Sequence, residues 1–331
     1  MKNKYESLPI YQKPEGWIIQ YPQFSSLADE QMHTFWPWDE PLVDNDLQDL
    51  RTAITPEELH GIITVLKLFT LYEMRVGDDY WTSRIAKQFK RPEIQRMAAM
   101  FSAVEFNSHA PMYNKINEIL YLDTEEFYSE WKEVDELRER IEFVAQCATN
   151  EDDLLSIAAF SFIEGAVLYS SFAFIKHFQT QECGKSLLTN ICRGVDQSMC
   201  DESLHSIGGA ELFKQIYREA VAAGIDVAHI TEPIYKMAHT VLTHEEKIVD
   251  MIFSQGEIKG INAVQLKEFV KHRLNVCLEQ LGFEGVFAVQ DDSVAKWFYK
   301  NTTGRKLHDF FTGSGSAYNI NWKEVKFGEV W

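Results

Sequence analysis

Residues 154–175 read LLSIAAFSFIEGAVLYSSFAFI, a run of 22 residues with one charged side chain, Glu164. By length and apolarity the run meets the criterion for a bilayer span. Glu164 lies near its middle, where an unpaired carboxylate in lipid costs about 3 kcal/mol. The remaining sequence offers no second span. A helix apolar on all sides also suits the centre of a protein bundle, provided its carboxylate is compensated by a metal or another cation. The run therefore predicts a buried central helix in an all-α protein.

Composition agrees. Of 331 residues, 45% are hydrophobic and 13% aromatic, enough apolar surface for a large core, so disorder is excluded for most of the chain. Only 9 Pro and 17 Gly are present, which disfavours turn-dense β architectures. A net charge of −18 repels a polyphosphate surface, so nucleic acid is not an expected partner. Five cysteines (Cys147, Cys183, Cys192, Cys200, Cys277), odd in number and without a CxxC pair, indicate neither a disulfide framework nor a thiolate zinc site. The opening MKNKYESLPIYQKPEGW lacks the apolar core of a signal peptide. A cytoplasmic protein without a membrane anchor is expected.

Residues 1–54, which include FWPWDEPL, show no sustained period and read as an extended N-terminal arm with short helical turns. Thr55-Pro56-Glu57-Glu58 combines an N-cap, a proline at the first helical position and a capping-box glutamate. It opens a helix running to about 89. Further helices are expected over about 92–120, 124–147, 152–179, 185–222, 231–254 and 262–281. The helical domain thus spans 55–311. Residues 312–331, TGSGSAYNINWKEVKFGEVW, read as a flexible tail with isolated aromatics.

Four of these helices carry an acidic residue inside an apolar face: Glu73, Glu105, Glu164 and Glu202. Two of them add a histidine. Glu202 and His205 are three apart, Glu105 and His109 four apart, so each pair can address one centre. Two carboxylate helices and two carboxylate-histidine helices form the ligand plan of a dinuclear metal site in a ferritin-like helical bundle. Four buried, unpaired carboxylates would otherwise each cost several kcal/mol, so shared cations are called for. The rival cluster HTVLTHEE, with His239, His244, Glu245 and Glu246, places its histidines five apart and reads as a solvated helix.

The sequence resembles the radical-generating small (β, R2) subunit of class I ribonucleotide reductase from about Phe35 to the C-terminus. Asp201-Glu202-Ser203-Leu204-His205 matches the family's Asp-Glu-x-x-His, with Glu164 upstream in its apolar helix. His109 followed four residues later by Tyr113 matches the histidine ligand and radical tyrosine. Phe35-Trp36 matches the N-terminal tryptophan of the radical-transfer path, and Phe310-Phe311 with Tyr318 matches the start of the tail and its redox tyrosine. Three positions depart from the pattern. Phe106 stands where the second carboxylate usually lies, three residues before its histidine, and the nearest acid is Glu105. Pro111 cannot donate to the carbonyl of Asn107, so a kink or π-bulge there would return Glu105 to the metal-facing side. Cys200 replaces the usual arginine before the aspartate, and Glu73 replaces the aspartate of many diiron members while matching some manganese-using ones.

The resemblance implies two metal ions per chain (Fe and/or Mn) held by Glu73, Glu105, His109, Glu164, Glu202 and His205. They would activate an oxygen species and leave the oxidising equivalent on Tyr113 as a tyrosyl radical or on the metals. His109, Asp201 and Trp36 would relay it toward the surface, Tyr318 would carry it to the partner, and Leu168 and Phe172 would extend a dry wall beside Glu164. The enzyme implied is a ribonucleoside-diphosphate (or triphosphate) reductase. This chain would be a homodimer, active only with the large (α) subunit that its tail binds through Phe327, Val330 and Trp331. An R2-like ligand-binding oxidase, which has no use for such a tail, and a metal-storage or scaffold bundle are the alternatives.

Overall fold

The computed structural model describes residues 3–300. Phe310, Phe311, Tyr318, Phe327, Val330, Trp331 and the whole expected tail lie outside them. Thirteen α-helices occur among the described residues, and no strand. They are α1 (Pro22–Thr34), α2 (Leu47–Thr52), α3 (Pro56–Arg75), α4 (Pro92–Val104), α5 (Ala110–Ile119), α6 (Glu125–Ser129) and α7 (Asp135–Ala148). They continue with α8 (Asp153–Phe162), α9 (Tyr169–Lys176), α10 (Thr189–Ala222), α11 (Thr231–Ile252), α12 (Ala263–Leu281) and α13 (Ser293–Lys300). Three π turns interrupt the long elements: Val76–Ala86 after α3, Glu105–His109 between α4 and α5, and Ile163–Val167 between α8 and α9.

Local chemistry sets the boundaries. Thr55 accepts from the Glu58 N–H while Glu58 accepts from the Thr55 N–H at 2.8 Å, completing the expected capping box at the start of α3. Asn262 and Gln265 do the same for α12, which ends where Gly282 takes φ 93°. The apolar run from 153 to 179 is enclosed by other helices, every residue of its most apolar window being buried. It packs on α10, α11 and α12, as expected of a central bundle member.

The N-terminal arm is more structured than its weak periodicity predicts. Pro22 starts a 13-residue helix whose Phe24, Leu27, Ala28 and Gln31 share one buried face against α4. Tyr5, Ile10 and Tyr11 are buried too. The Tyr11 hydroxyl donates to Asp153 at 2.6 Å, and that of Tyr21 to Glu219 at 2.6 Å. One helical stripe too short to register as a period is thus fixed by polar contacts to residues far along the chain. The expected helix over 124–147 is divided, because Val134 is extended between a 3-10 turn at Glu130–Lys132 and α7. Helix α13 has no counterpart in the sequence reading.

The cluster on α11 also needs correction. His239 is exposed, but Glu245 is fully buried, 2.8 Å from an Arg140 nitrogen and accepting from Ser170 Oγ at 2.8 Å. Arg140 comes from α7, and no spacing along α11 announces a counter-ion supplied by another helix.

His177 closes the central helix and titrates. Its ring lies between Phe174 and Phe178, with centroids 5.2 and 4.1 Å away, and its Nδ1 bonds the Phe174 carbonyl. Burial pushes the imidazole down to about 4. Unfolded, the group titrates near about 6.5, so between the two values the unfolded chain binds a proton that the folded chain does not. Stability from this group is present above about pH 6.5 and is lost toward about pH 4, about 3 kcal/mol in full. The melting temperature should therefore fall further between about pH 7 and about pH 5 in the wild type than in His177→Gln, which has nothing to protonate. Equal slopes in thermal melts would refute this.

Candidate metal centre

The six side chains singled out by sequence converge inside the bundle, all buried. On α10 the helix is regular, and Glu202 and His205 leave the same face. Glu105 and His109 are brought together differently. The Ala110 N–H reaches back five residues to the Glu105 carbonyl, and this wider turn nearly aligns residues four apart. Pro111, next in the chain, lacks the N–H that a regular helix would direct to Asn107. The expected re-registration is therefore present: Glu105 is fully buried and Phe106 is turned to the surface, 40% exposed.

Glu105 lies between the two histidines, its Oε2 2.9 Å from His109 Nδ1 and its Oε1 2.8 Å from His205 Nδ1. Glu202 spans them as well, with Oε1 3.3 Å from His109 Nδ1 and Oε2 3.6 Å from His205 Nδ1. Glu73 approaches only His109, at 3.6 Å, and Glu164 only His205, at 3.8 Å. Two groups result, Glu73, Glu105, His109 and Glu202, and Glu105, Glu164, Glu202 and His205, each with ligand atoms within 4.8 Å of one another. They share Glu105 and Glu202.

The donor set fits a pair of metal ions. Glu73 Oε1, both Glu105 oxygens, His109 Nδ1, Glu202 Oε1 and both His205 nitrogens are buried without a hydrogen bond of ordinary geometry among the described residues. Oxygen and nitrogen donors this close need protons or shared cations between them. Without cations, burial and the neighbouring Glu105 push Glu73 up to about 8, and burial with Glu202 raises Glu164 well above the carboxylate range. Hard oxygen and imidazole donors of this kind suit iron and manganese alike.

Around the centre, Asp201 Oδ2 accepts from Trp36 Nε1 at 2.7 Å and bonds His109 Nε2 at 3.1 Å. The Trp36 and His109 rings are stacked 5.7 Å apart. The expected order His109, Asp201, Trp36 is thus continuous. Tyr113 is fully buried 4.4 Å from the Phe69 ring, which in turn meets Phe172 at 5.6 Å. Burial and the charge of Glu73 hold the Tyr113 phenol well above its usual range, so it keeps its proton. Leu168 and Phe172 are buried, as an apolar wall requires.

Two contributors escaped the sequence reading. Trp81, in the π turn Val76–Ala86, donates its indole N–H to Glu164 Oε1 at 2.7 Å. Gln31 of α1 donates to Asp201 Oδ1 at 2.8 Å. Nothing in the spacing links Trp81 to a carboxylate 83 residues on, and Gln31 lay in the arm read as extended.

A helical bundle enclosing two adjoining carboxylate-histidine clusters that share two carboxylates defines a protein of the ferritin-like class. The family model for the small chain of ribonucleotide reductase matches residues 17–294. The chain belongs to that family and is the small subunit of a class I ribonucleotide reductase, which works with a large subunit. A ribonucleoside-diphosphate reductase small-subunit relative from Invertebrate iridescent virus 3 is 23% identical over 320 residues, covering 91% of this chain and 82% of its own. The ribonucleoside-diphosphate reductase subunit beta of Mycobacterium tuberculosis is 21% identical over 317 residues, covering 95% and 94%. Among solved structures, the dimanganese(II)-NrdF of Streptococcus sanguinis superposes with a TM-score of 0.72 at 20% identity over 86% of this chain and 97% of that one, a likeness of fold.

Proposed function

We propose that Glu73, Glu105, His109, Glu164, Glu202 and His205 hold two metal ions, iron, manganese or one of each, and that this chain furnishes the oxidising equivalent for reduction of ribonucleoside diphosphates by the large subunit. The observation that carries the reading is the double span of Glu105 and Glu202 between His109 and His205. When bound, the metal pair supplies one-electron oxidising power drawn from an oxygen species. The protein's part is to keep that power dry and to direct it. Phe69 and Phe172 exclude water on the Tyr113 side. Tyr113 holds a proton that it can lose together with an electron. Asp201 orients the His109 imidazole and accepts from Trp36, so the first steps of the exit path share one carboxylate oxygen. Cys147, Cys183, Cys192 and Cys277 are buried and in no disulfide, which supports a reducing, cytoplasmic setting. A homodimer accords with the family. Metal analysis after loading under competing iron and manganese, with electron paramagnetic resonance, tests the centre. Absence of any dinuclear signal with either metal would sink it.

The tail is proposed to bind the large subunit through Phe327, Val330 and Trp331, with Tyr318 upstream to carry the oxidising equivalent. Deleting residues from Lys326 onward should leave metal loading intact while abolishing large-subunit binding and nucleotide reduction. Tyr318→Phe should preserve loading and binding and stop turnover, because the ring remains and the phenol proton is gone. Wild-type nucleotide reduction by Tyr318→Phe with the matched large subunit would exclude the relay role.

A further inference from the structure

The π turn that carries Glu164 is gripped from outside by two arginines that the redox chemistry does not use. Arg273 of α12, 1% exposed, donates from Nε to the Gly165 carbonyl at 2.8 Å. Arg140 of α7, also 1% exposed, donates to the Val167 carbonyl. Widening a helical turn shifts carbonyls away from their ordinary partners, and buried carbonyls then need new donors. Each guanidinium is itself anchored. Arg140 pairs with Glu245 at 2.8 Å, and Glu245 accepts from Ser170, one residue beyond the first of α9. Arg273 lies 3.9 Å over the Tyr169 ring, whose hydroxyl bonds Ser203 at 3.0 Å, beside Glu202. Its Nη1 donates to the Tyr299 hydroxyl at 2.9 Å, on α13, the last described helix.

The turn has no room to relax by itself. A Cβ at Gly165 would lie 2.5 Å from both Cys277 Sγ and Ser206 Oγ, so α12 and α10 press directly on the backbone next to Glu164. The register of the turn is thus imposed by its surroundings. A one-residue slip would swing Glu164 away from His205 and from the Trp81 indole.

We infer that Arg140 and Arg273 are positioning residues that clamp the Glu164 turn in the register presenting its carboxylate to the metal pair, and that Tyr299 ties this clamp to α13, the last described helix. The inference rests on the proposed role of Glu164 as a ligand. Calorimetric titration of the metal-free, full-length protein with Mn(II) tests it, together with amide hydrogen exchange over residues 163–168. Glu164→Ala identifies which of the two Mn(II) sites depends on that carboxylate; two sites of unchanged affinity in this variant would dismiss the ligand role itself. Arg273→Lys and Arg140→Lys should weaken that same site about tenfold or more and the other by less than about threefold, the scale expected for groups that orient a ligand. Exchange in the turn should accelerate. Tyr299→Phe, which removes one hydroxyl and tests the clamp even where a lysine variant does not fold, should shift the same site in the same direction by less. Unchanged affinities in the folded variants, or equal weakening of both sites in step with a lowered melting temperature, would overturn the inference in favour of simple packing.

Discussion

Replacing Glu202 with Ala should deprive the protein of both metal ions, whereas Glu73→Ala and Glu164→Ala should each spare one. The asymmetry follows from position. Glu202 and Glu105 each reach both histidines, while Glu73 lies near His109 alone and Glu164 near His205 alone. From spacing alone, Glu202 and His205 form one pair on one helical face, and loss of Glu202 would be expected to cost a single ion. The geometry enlarges that expectation. Removing a shared carboxylate takes a donor and a negative charge from both ions at once, in a cavity where their mutual repulsion depends on those charges. Binding of metal carries folding free energy, so Glu202→Ala and Glu105→Ala should also forfeit the gain in melting temperature that metal gives the wild type. Metal content per chain after anaerobic loading decides the matter. One full equivalent retained in both Glu105→Ala and Glu202→Ala would exclude shared ligation.

Trp36→Phe should abolish nucleotide reduction while leaving two metal ions bound. Trp36 stacks on the His109 ring, and its indole N–H reaches the centre through Asp201 Oδ2, which also bonds His109 Nε2. Phenylalanine keeps an aromatic body in a site where Trp36 is 1% exposed, but it removes the donor and the easily oxidised indole. Asp201→Ala differs in kind. It frees the His109 imidazole from its orienting partner, so metal affinity should fall by about 10- to 100-fold along with turnover. Measuring metal content and nucleotide reduction for the two variants with the same large subunit separates relay from support. Turnover by Trp36→Phe at the wild-type rate would remove Trp36 from the path.

Much of this was open to inspection in the amino-acid order. The apolar run around Glu164, the Asp-Glu-x-x-His on α10 and the capping box at Thr55 each act over one to a few helical turns, where side-chain spacing maps directly onto a face. Glu105 lay at the edge of legibility. Its spacing from His109, four residues where the family pattern has three, was a departure, and Pro111 explained how a helix holding it could be re-registered, but the wider turn itself had to be observed.

What belonged to the sequence alone was the all-helical class and the six converging residues, each encoded by local periodicity or by a contiguous motif, while Trp36 and Asp201 stood out as relay candidates through the family resemblance. Tertiary structure decided the rest: Glu105 and Glu202 as the shared carboxylates, Trp81 on Glu164, Gln31 on Asp201, Arg140 against Glu245, and the arginines on the Glu164 turn. Each of these joins residues on different helices, and the pairing of helix faces is set by how the whole core packs, a many-body outcome that no single periodicity contains. The three π turns belong to the same category. Two of them carry carboxylates of the candidate centre, Glu105 and Glu164, and the third begins three residues after Glu73; the loss of regular backbone bonding is a local cost sustained only because the surrounding helices bury and hold the distorted segments.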